Sequence, residues 1–225
     1  MTSNTLLQFD GLSVSYGRRV VFSNAALALD AGVYALQGPN GIGKSTMLLV
    51  LAGVLPADAG TVWIDGVDLM RAPEKAKQRL SYVPDESPIY PFMTGKDLLL
   101  FVASIKRSNL NSAVLSLIKR FQLSPCLDAR FDAMSLGTQK KILVCASLIG
   151  SPRVLLFDEP SNGLDLEARA CLVEHVREWG RHGTVLLTSH DVDFVRGTGA
   201  SVISMPRLIG AEKATREDDG IAFAP

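Results

Sequence analysis

The chain has 225 residues, 47% of them hydrophobic, enough to bury a large core as one domain with or without an inserted lobe. Its 23 basic and 23 acidic residues cancel, so no basic face argues for a nucleic-acid partner and no acidic tract for a solvating tail. Cys126, Cys145 and Cys171 show neither metal-ligand spacing nor a CxxC pair, and read as small buried hydrophobes of a reducing compartment.

The opening MTSNTLLQFDG lacks the basic start and apolar stretch of a secretion signal, and no run approaches the roughly 18 apolar residues of a membrane span. The expectation is a cytoplasmic chain, with any membrane association supplied by a partner. From residue 6 to about 37, LLQFDGLSVSY, VVFSNAALAL and VYALQG are separated by YGRR and DAG, the pattern of strands with tight connections. GPNGIGKST follows, then MLLVLAGVL with helical character, then a strand in GTVWIDG with Gly60 and Gly66 as turns. Between about 88 and 134, apolar residues recur at helical spacing and predict an inserted helical lobe. RVLLFDEP and TVLLTSHD read as buried strands on either side of DLEARACLVEHVREWGRHG, an amphipathic helix closed by Gly183. Strand and helix alternate, so the fold class is α/β with a mostly parallel sheet, an N-terminal antiparallel β subdomain and the helical lobe, all in a single domain of 1–225. The segment from about 206 to 225 is mixed and polar, and reads as a strand with a loose tail.

Gly38, Gly43, Lys44 and Ser45 in GPNGIGKST satisfy G-x-x-x-x-G-K-[ST], with an apolar strand before and a helix after, the context the motif requires. Such a loop turns successive N–H groups of Gly38, Pro39–Ile42 and Gly43 to Thr46 toward phosphates, proline excepted, and the helix N-terminus adds partial positive charge. Lys44 then reaches the terminal phosphates and the Ser45 hydroxyl serves as a magnesium ligand. This is the core of a P-loop NTPase, with ATP and Mg2+ as expected ligands. Two carboxylates at the end of the apolar strand VLLFDEP are costly unless a cation or a polar task employs them. Beside a phosphate loop, Asp158 is expected to hold the metal and Glu159 to orient or deprotonate the attacking water. His190 at the end of the next strand, taken alone, is only a polar strand terminus.

With these motifs in this order, the chain from about Leu6 to His190 resembles the ATP-binding cassette family, the nucleotide-hydrolysing subunits of ABC transporters. The resemblance implies that Tyr16 in VSYG stacks on adenine, that Glu159 and His190 act with Lys44 in catalysis, and that His190 senses the γ-phosphate. MSLGTQ falls on the signature usually written LSGGQ, with Ser135 and Gly137 retained and Leu136 and Thr138 as departures. In the family this segment touches the nucleotide of the opposite subunit, and Asp165 in SNGLD lies in the loop that crosses the dimer. Asp85 in LSYVPDES stands where the family usually has glutamine, and is expected to serve as a further metal residue, with Glu86 its solvated neighbour. SPIYPFMTGKDLLLF falls where the family receives a helix of the transmembrane subunit. The implied function is ATP-driven head-to-tail dimerisation, as a homodimer or a paired cassette, powering a separate permease on the cytoplasmic face of the membrane, in a bacterial exporter. A soluble cassette acting on nucleic acid or ribosomes, and a P-loop kinase, are the competing readings; no nucleic acid is expected.

Overall fold

In the computed structural model the described residues are 5–86 and 89–210. Two sheets organise them. The first is antiparallel, in the order β2-β1-β4-β5, with β1 Leu7–Tyr16, β2 Arg19–Leu29, β4 Ala59–Ile64 and β5 Val67–Asp68. Burial along β1 alternates through Leu7 and Phe9 and again through Leu12 and Val14, the period-2 pattern of a sheet with one buried face, its phase shifted by one residue at the irregularity between Phe9 and Leu12. Gly60, expected as a turn, lies inside β4 where the register with β1 breaks between Asp10 and Ser13.

The second sheet runs β6-β7-β8-β3-β9, from Leu80–Val83, Val154–Asp158, Thr184–Thr188, Gly32–Gln37 and Ser201–Ser204, with every pairing parallel. β7 and β8 are buried at every residue, which is why their sequence shows no alternation. Leu155, Phe157, Val185 and Leu187 belong to one core, while Val154, Leu156 and Leu186 belong to the other. The sheet thus separates two cores. One is shared with helix α1, Lys44–Leu51, and the antiparallel sheet; the other is shared with the lobe and with helices α5, Leu136–Ser147, and α6, Leu166–Trp179.

The lobe consists of α3, Gly95–Ile105, α4, Ser112–Arg120, and two short 3-10 turns. Thr94 and Asp97 form a reciprocal capping box at the start of α3, and Asn111 caps α4. Short helix α2, Pro73–Gln78, leads to β6; PEKAKQ buries only Ala76, so no apolar period marked it in the sequence. Lys106, at the end of α3, donates to the carbonyls of Lys77 at 2.6 Å and Leu80 at 2.6 Å, tying the lobe to the chain entering β6. Burial pushes its ammonium down to about 8.

Two boundaries differ from the sequence reading. α6 ends at Trp179 with Gly180 as its cap, because the chain must turn before Gly183 to enter β8. After α7, Val192–Thr198, the region expected to open with a strand holds instead the short helix α8, Met205–Leu208, started by Pro206 in its first turn and capped by Ser204. The rest of the expected tail, 211–225, lies outside the described residues, as do residues 87 and 88. Cys145 and Cys171 are buried and Cys126 is half-buried, all three as free thiols.

Candidate functional site

The connection from β3 to α1 carries the glycine-rich loop. Gly43 has φ 105°, and a Cβ there would strike Val21, so the tight loop and the close approach both demand glycine. The N-terminus of α1 has neither a capping side chain nor an acidic residue in its first turn. By contrast α3, α4, α5, α6 and α7 each begin with a side chain on their free N–H groups. The first turn of α1 therefore keeps its donors for an anion. Lys44 Nζ donates to the carbonyls of Gly38 at 2.8 Å and Pro39 at 3.1 Å, arching over the loop.

The C-terminal ends of neighbouring strands β7 and β8 supply the acidic half. Asp158 and Glu159 are only 5% and 7% exposed. The Thr188 hydroxyl, on β8, donates to Asp158 Oδ1 at 2.6 Å and accepts from Glu159 N at 3.1 Å. Glu159 has φ 46°, a left-handed conformation that costs a non-glycine residue about 1 kcal/mol or more, and persists because its backbone and carboxylate are both held. His190 donates its backbone N–H to Glu159 Oε2 at 3.1 Å, with its Nε2 3.4 Å from Oε1. Burial above all, and then the charges of Asp158 and Asp85, push the Tyr82 phenol up to about 12.

These parts face one cleft of about 690 Å³, in the range of small-molecule sites. Asn40, Gly41, Ile42, Gly43, Lys44, Ser45 and Thr46 line it, with Asp85, Asp158, Glu159 and His190 opposite and Tyr16 at its rim. Gly38 and Pro39 stand behind the loop, in contact through Lys44. Arg19, Val20, Val21 and Asn162 also line the cleft and were missed from the sequence. Arg19 was legible only as part of a YGRR turn and Val20 and Val21 only as the start of the strand VVFSNAALAL, and Asn162 carried no signal beyond following the acidic pair. Asp85 is brought in, but its Oδ1 accepts from Asn162 Nδ2 at 3.1 Å and lies 3.6 Å from Lys140 Nζ.

Ser135, Gly137 and Asp165 do not line this cleft. Ser135 caps α5, its Oγ accepting from Thr138 N at 3.2 Å, and Thr138 Oγ1 lies 2.9 Å away. A Cβ on Gly137 would fall inside contact distance of the Gly163 carbonyl oxygen, so this glycine is the close approach between α5 and the loop before α6. Leu136 points outward, 77% exposed. Asp165 caps α6 through Ala168 N at 2.8 Å and pairs with Lys141 at 2.8 Å. The hydrogen bond from Lys141 is the main cause holding its carboxyl below the usual range.

The donor set fits magnesium. Among the described residues no lysine or arginine forms an ion pair with Asp158 or Glu159, and these two buried carboxylates share the cleft with the Ser45 hydroxyl, as a magnesium site requires. The glycine cradle and open helix end fit phosphates by the same reasoning. A phosphate loop on a parallel sheet, acids on the adjoining strand, an antiparallel sheet and a helical lobe together define a P-loop nucleotide hydrolase of the cassette type.

The family model described as ABC transporter matches residues 22–162, and the chain belongs to the ABC transporter family. Its relatives include the linearmycin resistance ATP-binding protein LnrL of Bacillus subtilis (strain 168), 28% identical over 84% of this chain and 63% of that protein. The ABC transporter ATP-binding protein NatA of the same organism is 31% identical over 80% of this chain and 76% of that protein. The Nod factor export ATP-binding protein I of Paraburkholderia xenovorans (strain LB400) is 32% identical over 82% of this chain and 62% of that protein. The match thus spans less than two thirds of two of these relatives. A solved structure of an ATP-binding subunit of an ABC transporter superposes with a TM-score of 0.80 at 26% identity, covering 89% of this chain and 85% of the other. The matched region carries the ATP-binding part of this family of ATPases, whose ligands are ATP and Mg2+. Among the described residues no helix is long and apolar enough to cross a membrane.

Proposed function

We propose that this chain is a single cassette that binds ATP in the cleft, hydrolyses it, and drives a separate permease, in an exporter, from the cytoplasmic face of the membrane. The observation that carries this is the meeting of the phosphate loop, Asp158, Glu159 and His190 in one cleft. Tyr16, 53% exposed at the rim, offers its ring to adenine. The N–H groups of the loop and of the first turn of α1 take the phosphates, and Lys44 exchanges the Gly38 and Pro39 carbonyls for phosphate oxygens. Ser45 and Asp158 hold magnesium, with Asp85 beside them; the ion neutralises charge on the transferred phosphoryl group when bound. Glu159, fixed by Thr188 and His190, orients the water and accepts its proton, and His190 contacts the γ-phosphate.

Ser135, Gly137 and Asp165 lie off the cleft, which suits a role toward the nucleotide of a second copy or paired cassette placed head to tail. Leu136 and Leu166, first residues of α5 and α6, are 77% and 81% exposed on this side, apolar surface suited to such a contact. Permease docking is assigned to the segment beginning at Ile89, where Tyr90 and Phe92 stack at 5.5 Å and Phe101 is exposed. The export direction rests on the printed names of relatives that serve Nod factor export.

Glu159→Gln keeps the shape and removes the base. Steady ATP hydrolysis is expected to fall by about 100-fold or more while ATP binding persists and an ATP-bound dimer accumulates. Normal turnover in this variant removes Glu159 from catalysis. Association with DNA or ribosomes in place of a hydrophobic membrane partner would overturn the transporter reading.

A further inference from the structure

Asp85 replaces the glutamine expected by family resemblance, and so adds a third carboxylate to a cleft that already holds Asp158 and Glu159 and must admit a polyanion. Lys140 answers it. Among the described residues Lys140 is the one lysine or arginine that is buried, 5% exposed, and it reaches from α5 to the chain just after β6. Its Nζ donates to the carbonyl of Pro84 at 2.9 Å and that of Asp85 at 2.5 Å, and lies 3.6 Å from Asp85 Oδ1. Asn162 Nδ2 donates to the same Oδ1 at 3.1 Å. A buried ammonium is tolerated only with such a set of oxygens, and removing one partner strands the other.

We propose that Lys140 is a positioning residue for the ATPase reaction: it cancels the extra charge of Asp85 and fixes that carboxylate at the edge of the cleft. The assignment rests on the ATPase reading above. The same side chain extends from the helix capped by Ser135, so one ion pair and two carbonyl bonds join the Asp85 segment to α5. A neutral glutamine would need no buried cation, which explains why a lysine occupies an inward position of an otherwise apolar helix face.

The test compares wild type, Asp85→Gln, Lys140→Met and the double variant. In nucleotide-free protein, urea unfolding should show the double variant less destabilised than the sum of the two single ones. In turnover, Lys140→Met should raise the KM for MgATP at least fivefold relative to wild type, whereas the same substitution made in Asp85→Gln should change KM by less than about twofold relative to Asp85→Gln alone. A lysine that merely supports α5 cannot be repaired by removing a charge from another segment, so additive losses in both measurements overturn the proposal. If Lys140→Met does not fold, folding of the double variant is the rescue expected, and its failure overturns the proposal. A wild-type chain without turnover would instead sink the ATPase reading, and with it this assignment; normal wild-type turnover with additive losses removes the assignment alone.

Discussion

Gly137→Ala sets two effects of opposite sign against each other. In a helix, alanine is favoured over glycine by about 0.5–1 kcal/mol, so propensity alone makes the variant more stable than wild type. The added Cβ, however, would overlap the Gly163 carbonyl oxygen and stand 3.4 Å from its carbonyl carbon. Neither side yields easily, because the loop is anchored by Ser161 and Leu164, 2% and 6% exposed, and α5 by the fully buried Ile142. Overpacking of this kind costs about 1–3 kcal/mol. The net expectation is a loss of about 1–2 kcal/mol, or about 3–6 °C in Tm for a chain of this size. Thermal and urea unfolding of nucleotide-free protein measure it, with Leu136→Ala, at a side chain 77% exposed, as a control expected within about 0.5 kcal/mol of wild type. A Gly137→Ala protein as stable as wild type, or more so, refutes the close approach of α5 to the Gly163 loop.

Thr188→Val keeps the shape of a residue 1% exposed but strips the hydroxyl from Asp158, leaving a buried carboxylate oxygen without its donor. A loss of about 1.5–3 kcal/mol in urea unfolding is expected, with reduced turnover, and an unchanged midpoint would show that Asp158 is satisfied elsewhere. Lys106 supplies a pH signature: its folded pKa is lowered from 10.5 to about 8. Between these values the unfolded chain binds more protons, so its contribution to stability rises with pH across that window. The urea midpoint of wild type relative to Lys106→Met should therefore move in favour of wild type from pH 7.5 to 9.5, and a pH-independent difference would contradict the burial of that ammonium.

The phosphate loop, the acidic strand end and the alternation of strand and helix were legible because each depends on local pattern: glycines at fixed spacing, an apolar run closing on Asp158 and Glu159, a 3.6 period in the lobe. What escaped was set by tertiary contact. β5 is two residues long and α2 buries one side chain, so neither carries a period. Gly183 looked like a helix stop, yet Gly180 is where α6 turns toward β8. Ser135 as a helix cap was readable from its type, whereas the reason for Gly137 lies in Gly163, twenty-six positions along the chain. Thr188, Asn162 and Lys140 act through partners on other elements, and only the lysine left a trace, as a charge within an apolar helix.

Glu159 holds its carboxylate in a buried, left-handed position. A glycine there would relieve both the backbone strain and the desolvated charge, so the residue assigned to hydrolysis is also one the fold would be steadier without. Selection on stability and selection on turnover pull this position in opposite directions. In lineages where the cassette no longer needs to turn over, loss of the glutamate carries a folding advantage, so inactive descendants should arise through this residue sooner than through the phosphate loop, whose glycines the backbone itself requires.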